Sequence, residues 1–347
     1  MHGPQDTRLD EIPEPQVVRP DQVKVRVSAS GICGTDLWLH RAAPIPRDYR
    51  HPAFGEPGPH VLGHEMAGEV VEIGKNVSRV ASGDLVAVRP LVADGSCDHC
   101  VRGESNLCRT RGFLGIHGGG GGFSQYVVVP DELLHRLPAP FDASTGALVE
   151  TLATSWRGVK RVAPEPGEPA LVVGAGPIGL ATVMCLRAWG VGPVLVVGRG
   201  AVRLDAAAAM GAVVCASDRE DLAGFVDDAT HGRGTRAAFD CTGSDPAMVG
   251  ALLEVVQPGG TVMVLAEYHE PAVVDMTDLL RRGKRLTGST AYTAEDFDEV
   301  IDAVVDGRLD PAPLVTSTVP LERALEDGIG LLERGGRRSE IKVVVTP

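Results

Sequence analysis

The chain predicts an α/β fold in two parts, one mostly β and one a doubly wound parallel sheet. Three observations carry this. Up to about residue 150, short alternating strands are separated by turns rich in glycine and proline. From about 151 to 286, apolar runs of strand length alternate with helical stretches. At the head of that middle part, Gly174-Ala175-Gly176-Pro177-Ile178-Gly179 directly follows an apolar run from Ala170 to Val173.

In the first part, Val23 to Ser28 alternates with period two, as a half-buried strand should. Gly68 to Gly74, Asp84 to Val88 and Tyr126 to Val129 read as further short strands. Proline and glycine crowd residues 42–63, which implies a long surface loop. Gly118 to Gly122 is a run of five glycines. It reads as a flexible turn or as a place where backbone comes close to a ligand.

In the middle part, Leu171 to Val173 is a strand. Pro177 suits the first turn of a helix, where its missing N–H loses no bond. That helix runs to about Trp189. Val194 to Val197 is the next strand and Arg203 to Met210 the next helix. Ala237 to Asp240 and Thr261 to Leu265 are further strands. From about 287, a helix over 294–305 and a strand over 341–345 return to the first part.

The chain has 347 residues, enough for two cores. Thirty-three basic and forty-six acidic residues give a net charge of −13. That argues against nucleic acid or an anionic membrane as the main partner. The first residues are polar and lack the apolar segment of a signal peptide. The apolar stretch 171–197 is broken by glycines and Arg187, which fits strand-helix-strand better than a membrane span. Seven cysteines, three of them clustered, suggest reduced thiols and metal binding, hence a cytoplasmic protein.

The glycine motif is informative because it follows a strand and opens a helix. Its glycines permit a tight turn and bring backbone close to a pyrophosphate, whose charge the helix N-terminus favours. NAD-binding versions place a carboxylate after the second strand, to hold the ribose 2′-OH. Here Gly198 stands there, followed by Arg199 and, four residues on, Arg203. Glycine leaves room for a 2′-phosphate and arginine can grip its oxygens, so NADP is preferred over NAD. Otherwise the two arginines are solvated residues at a helix start.

Two sets of metal-type residues precede this loop. Cys97, Cys100 and Cys108 supply three soft ligands, and structural zinc wants four. Asp94, three residues upstream of Cys97, is the natural fourth. His99 is its rival but lies between two cysteines. Cys33, in a turn after a strand, and His64-Glu65 form the other set. A catalytic zinc needs N, S or O ligands and one open position. Glu150 can add a further or exchangeable ligand. Taken singly, Cys33 is more often a small core residue and His64 a structural one.

Together these motifs resemble the zinc-dependent medium-chain dehydrogenase/reductase family over nearly the whole chain. The resemblance rests on Gly31-Ile32-Cys33-Gly34-Thr35-Asp36, on Gly63-His64-Glu65, on the cluster ending Asn106-Leu107-Cys108, and on Val173 to Gly179. It is nearest to the butanediol and polyol dehydrogenase branch, through Gly118 to Tyr126, Gly146 to Glu150, Thr293 to Phe297 and Ile341 to Val343.

The resemblance implies a GroES-like catalytic domain over 1–150, completed by 287–347, and a Rossmann domain over 151–286. It implies two zincs per chain. Cys33, His64 and Glu65 would hold the catalytic one, with Glu150 as a fourth ligand in some states. Asp94, Cys97, Cys100 and Cys108 would hold the structural one. Thr35 would hydrogen-bond the substrate oxygen and begin its proton path. Besides the glycine loop, Gly198, Arg199 and Arg203, it assigns Thr242, Leu265 and Lys342 to the cofactor. Lys342 matches a basic residue that reaches the pyrophosphate in relatives. A homodimer or homotetramer and a small alcohol or ketone substrate are implied as well.

Three residues depart from the family pattern. Trp38 stands where many relatives have a proton-relaying histidine; it can wall a substrate pocket but relays no proton. Asp94 replaces a cysteine, and Thr151 replaces a proline. Relatives also have a short strand before His2-Gly3-Pro4, so a start upstream of Met1 is expected. The resulting expectation is an NADP-preferring zinc dehydrogenase that acts on a secondary alcohol or vicinal diol. A sugar, polyol or cyclitol dehydrogenase of the same chemistry is the alternative, and a non-catalytic NADPH-binding protein a more distant one.

Overall fold

Alternating valines build the first sheet. Val23, Val25 and Val27 lie on the strand Gln22–Gly31 and are fully or almost fully buried, with Met66, Val70, Val86, Val88, Val127 and Val129 packed beside them. This strand pairs antiparallel with Glu65–Ile73, with Tyr126–Pro130 and with Lys342–Thr346. Leu85–Val88 and Leu134–Arg136 extend the sheet on one side, and Val315–Pro320 adds in parallel to Lys342–Thr346 on the other. The computed structural model describes residues 1–58, 60–216, 222–243, 245–336 and 339–347. Pro59, inside the proline- and glycine-dense stretch, lies outside the described residues.

This sheet belongs to one of two compact units, which comprises Met1–Glu150, Tyr292–Asp306 and Val315–Pro347. The other comprises Thr151–Ala291 and Gly307–Leu314. Its six parallel strands run in the order Val213–Cys215, Val194–Val197, Ala170–Val173, Thr235–Asp240, Val256–Val264 and Arg285–Gly288. Numbered by appearance that is 3-2-1-4-5-6, the Rossmann order. Ala170–Val173 and Val194–Val197 are buried throughout, which is why they read as continuous apolar runs. The helix Pro177–Ala188 starts on Pro177 and buries every residue from Gly179 to Leu186.

Two expectations are corrected. The segment after residue 286 does not return to the first unit as one piece. Arg285–Gly288 is the edge strand of the parallel sheet, so residues 287 and 288 belong to the second unit. Residues 307–314 pack there too, because Arg308 sits 5.9 Å above the Trp156 ring and Leu309 and Leu314 are buried. Further, the stretch after Cys33 is not merely a turn but the start of the helix Gly34–Ala42. Gly34 and Thr35 are poor helix formers, so propensity hid it.

The five-glycine run is neither a loose turn nor open backbone. A Cβ on Gly119 would meet Leu114 and Phe54 at 2.5 and 2.7 Å, and one on Gly121 would meet the backbone oxygens of Val61 and Leu62 at 2.5 Å. The run is glycine because it packs against the segment that leads into His64.

Candidate metal and dinucleotide sites

The helix Gly34–Ala42 and the strand Glu65–Ile73 bring the first metal-type set together. Cys33 caps the helix, and its backbone N–H donates to Asp36 Oδ2 at 2.8 Å. Gly63 N donates to Asp36 Oδ1 at 3.2 Å, which ties the His64 segment to the same helix. Asp36 Oδ1 also lies 3.6 Å from His64 Nδ1, and both side chains are buried. Sequence reasoning gave Asp36 no role. It is a buried carboxylate close to the histidine, although 3.6 Å is too long for a hydrogen bond to Nδ1.

One ligand atom each from Cys33, His64 and Glu65 lies within 4.8 Å of the others. A tetrahedral zinc with bonds of about 2.0–2.3 Å spaces its ligands roughly 3.3–3.8 Å apart. Sulfur, imidazole nitrogen and carboxylate oxygen are a zinc donor set, so the residues fit the ion. Burial opposes charge on His64, but Asp36 and Cys33 outweigh it and raise its pKa well above the usual value. Such negative surroundings suit a cation.

Glu65 is fully buried, and Lys342 Nζ grips its two oxygens at 2.7 and 2.6 Å. The carboxylate lies flat against the first strand because residue 31 is glycine; a Cβ there would fall 2.0 Å from Glu65 Oε2. Burial by itself would discharge Lys342, and Glu65 and Cys33 more than offset that. Lys342, assigned to the cofactor from the sequence, is thus engaged by Glu65 inside the first unit.

Glu150 lies outside the group of three ligand atoms. Burial pushes its pKa up to about 7. Its Oε1 accepts a hydrogen bond from the Tyr292 hydroxyl at 2.8 Å. Thr35 Oγ1 is 3.7 Å from Cys33 Sγ. Trp38, one helical turn beyond Thr35, is 42% exposed.

The second set is also gathered: Asp94, Cys97, Cys100 and Cys108 place one ligand atom each within 4.8 Å. Asp94 is fixed by its neighbours. Its Oδ1 accepts from Ser96 N and Cys97 N at 2.7 and 2.8 Å, and its Oδ2 accepts from Thr110 Oγ1 at 3.0 Å. The Cys97 and Cys100 sulfurs are 3.6 Å apart. Burial and the neighbouring thiols push Cys100 up, so the cluster resists full ionisation without a cation. His99 is held by Glu104 at 3.0 Å and is not in the group.

In the second unit, the dinucleotide loop lies at the C-terminal ends of parallel strands, where open α/β sheets bind ligands. Gly179 is required there, since its Cβ would fall 1.7 Å from Gly174 O. Thr242 lies beside the loop, at 2.8 Å from the Cβ that Gly174 lacks, and donates twice to the buried Asp240. Leu265 follows the strand Val256–Val264 and packs over Gly158. Gly198 is buried, and a Cβ on it would come within 2.9 Å of Ala175 Cβ. Arg199 is exposed. Arg203 reaches back to the loop, its guanidinium 3.7 Å from the Cβ position of Gly176.

Residues 19–139 match the family described as alcohol dehydrogenase GroES-like domain, and residues 177–306 match the zinc-binding dehydrogenases. The (R,R)-butanediol dehydrogenase of Bacillus subtilis is 34% identical, over 100% of this chain and 98% of its own length. The chain belongs to the zinc-dependent medium-chain dehydrogenase/reductase family. A crystal structure of 2R,3R-butanediol dehydrogenase from Bacillus subtilis superposes on this medium-chain dehydrogenase with a TM-score of 0.92 at 33% identity, covering 100% of one chain and 98% of the other. The sorbitol dehydrogenase of Bacillus subtilis is 29% identical over 93% of this chain and 90% of its own. The expectations of a GroES-like domain plus a Rossmann domain, and of the butanediol and polyol branch, hold. This dehydrogenase is an oxidoreductase acting on CH–OH groups, of a family that uses zinc and a nicotinamide cofactor.

Proposed function

We propose that the chain is an NADP-preferring zinc dehydrogenase that oxidises a secondary alcohol or vicinal diol to the ketone, and runs the reduction in reverse. The observation that carries this is the gathering of Cys33, His64 and Glu65 in a chain that also holds the dinucleotide loop. Cys33, His64 and Glu65 would hold a zinc that would supply Lewis acidity toward a substrate hydroxyl, and the glycine loop would hold a nicotinamide cofactor that would supply the hydride acceptor. Thr35, whose hydroxyl lies 3.7 Å from Cys33 Sγ, hydrogen-bonds the substrate oxygen and begins the proton path. Trp38 bounds the pocket and passes no proton on. Asp36 holds the segment that carries His64, through the hydrogen bond it accepts from Gly63 N. Asp94, Cys97, Cys100 and Cys108 hold a second, structural zinc. Reduced thiols in both sets fit a cytoplasmic enzyme, and no helix among the described residues is long and apolar enough to cross a membrane.

The diol reading follows the butanediol dehydrogenase relative, and a polyol reading follows the sorbitol dehydrogenase relative. A spectrophotometric screen of diols, polyols, sugars and cyclitols with both cofactors separates them. We expect the highest kcat/KM on a vicinal diol. If zinc-replete protein turns over no secondary alcohol of any of these classes, the reading is wrong.

The preference for NADP rests on Gly198, Arg199 and Arg203. The space a carboxylate would need is closed by Ala175, and Arg203 already leans toward the loop. A charged hydrogen bond is worth roughly 1.5–3 kcal/mol, or about one to two decades in affinity. Replacing Arg199 and Arg203 together by leucine is therefore expected to lower kcat/KM for NADP by about 10- to 100-fold, with NAD little changed. Gly198→Asp alone is not expected to convert the enzyme to NAD, because the new Cβ would meet both the Cβ and the backbone N of Ala175, at 2.9 and 3.0 Å. A tenfold preference of the wild type for NAD would show that the arginines are surface residues only.

A further inference from the structure

Two carboxylates belong to or adjoin the first metal-type set, Glu65 inside it and Glu150 outside, and a different buried partner holds each. Lys342 grips Glu65. Tyr292 donates its hydroxyl proton to Glu150. Tyr292 is fully buried, and its ring packs on Phe297 with centroids 4.9 Å apart. It stands just before the helix Ala294–Val305, whose cap Thr293 accepts from Asp296 N. Ala291, the preceding residue, has φ of +50°, a left-handed conformation that an alanine disfavours. The ring is thus anchored by its packing on Phe297 and by the capped helix that follows.

Nothing in the proposed chemistry yet accounts for this anchoring. A catalytic zinc works with three protein ligands and one open position. A buried carboxylate on a flexible side chain beside such a site competes for that position. Cys33, His64 and Glu65 close a group of three ligand atoms, and Glu150 stays outside it. We propose that Tyr292 is a positioning residue that restrains Glu150 away from the metal and so keeps the fourth position open for substrate oxygen. This rests on the zinc dehydrogenase reading above.

The test uses full-length enzyme with zinc replaced by Co(II), without cofactor. Imidazole is titrated in as a one-point ligand and the cobalt d–d bands are read. In the wild type the bands respond to imidazole. Tyr292→Phe keeps the ring and its packing and removes the hydrogen bond. It should weaken imidazole binding at least tenfold and lower kcat/KM for the alcohol by a similar factor, with cofactor binding unchanged. Adding Glu150→Ala to Tyr292→Phe should restore imidazole binding. A Tyr292→Phe protein that binds imidazole within twofold of wild type overturns the proposal. Glu150→Ala alone gives an independent answer should Tyr292→Phe fold poorly. An affinity within threefold of wild type supports the restraint, and a gain of tenfold or more shows that Glu150 occupies the position despite Tyr292. If wild-type protein shows no thiolate–cobalt band that Cys33→Ser removes, it is the zinc reading that fails.

Discussion

Cys33→Ser is expected to lower kcat by roughly two to four decades while leaving NADP(H) binding largely intact. The magnitude follows from the several kcal/mol that a Lewis-acid metal contributes to such a reaction, at about 1.4 kcal/mol per decade. The substitution is clean because Cys33 caps the helix Gly34–Ala42, and serine is a good cap residue. The fold of the segment should survive while the thiolate is lost. Asp36 can still accept from the residue 33 N–H, so His64 should stay in place. Zinc content and turnover are the measurements. Near-normal turnover by a zinc-depleted variant would end the catalytic-metal reading.

Cys100→Ala is expected to cost stability instead of chemistry. The segment around it has little else to hold it. Its helix Asp98–Val101 buries no residue, and the flanking strands Leu91–Val92 and Gly112–Phe113 have two residues each. Metal binding in such a segment is folding free energy. Loss of a direct ligand should weaken zinc there by more than the roughly 10- to 100-fold of an outer-shell change. We expect zinc to fall from two to one per chain, the melting temperature to drop, and proteolysis to begin within residues 94–111. The remaining enzyme should turn over at close to the wild-type rate per active site. Wild-type protein with one zinc, and a Cys100→Ala variant with an unchanged melting temperature, would together remove the second site.

Much of the parallel sheet was legible because its signals are local. Ala170–Val173, Pro177–Ala188 and Val194–Val197 each announce themselves within a dozen residues, by apolar runs, a proline at a helix start and glycines in a tight turn. The Cys97, Cys100 and Cys108 spacing is similarly local. What escaped notice depends on partners far apart in the chain. Asp36 is known only by its approach to Gly63 and His64. Lys342 was assigned to the cofactor by position and is found against Glu65. Tyr292 carries no local signal at all, since a buried tyrosine is ordinarily core packing. Its hydrogen bond to Glu150 spans 142 positions. The edge strand Arg285–Gly288 was missed because it has one apolar residue in four and is mostly exposed, unlike its neighbours in the sheet.

The lysine beneath Glu65 bears on how the molecule comes into being. Glu65 waits 277 residues for that partner, and Lys342 opens a strand that lies inside the sheet, between Val315–Pro320 and Gln22–Gly31. The parallel sheet is drawn almost wholly from one continuous stretch, 151–291. On a ribosome the cofactor-type fold can therefore form first, while the antiparallel sheet lacks an interior strand and one buried carboxylate lacks its counter-charge. Closing so distant a contact is slow. The metal-binding centre is accordingly the last part of the nascent chain to be made whole, and a chain grown past residue 291 can have a nucleotide fold before it has any means of catalysis.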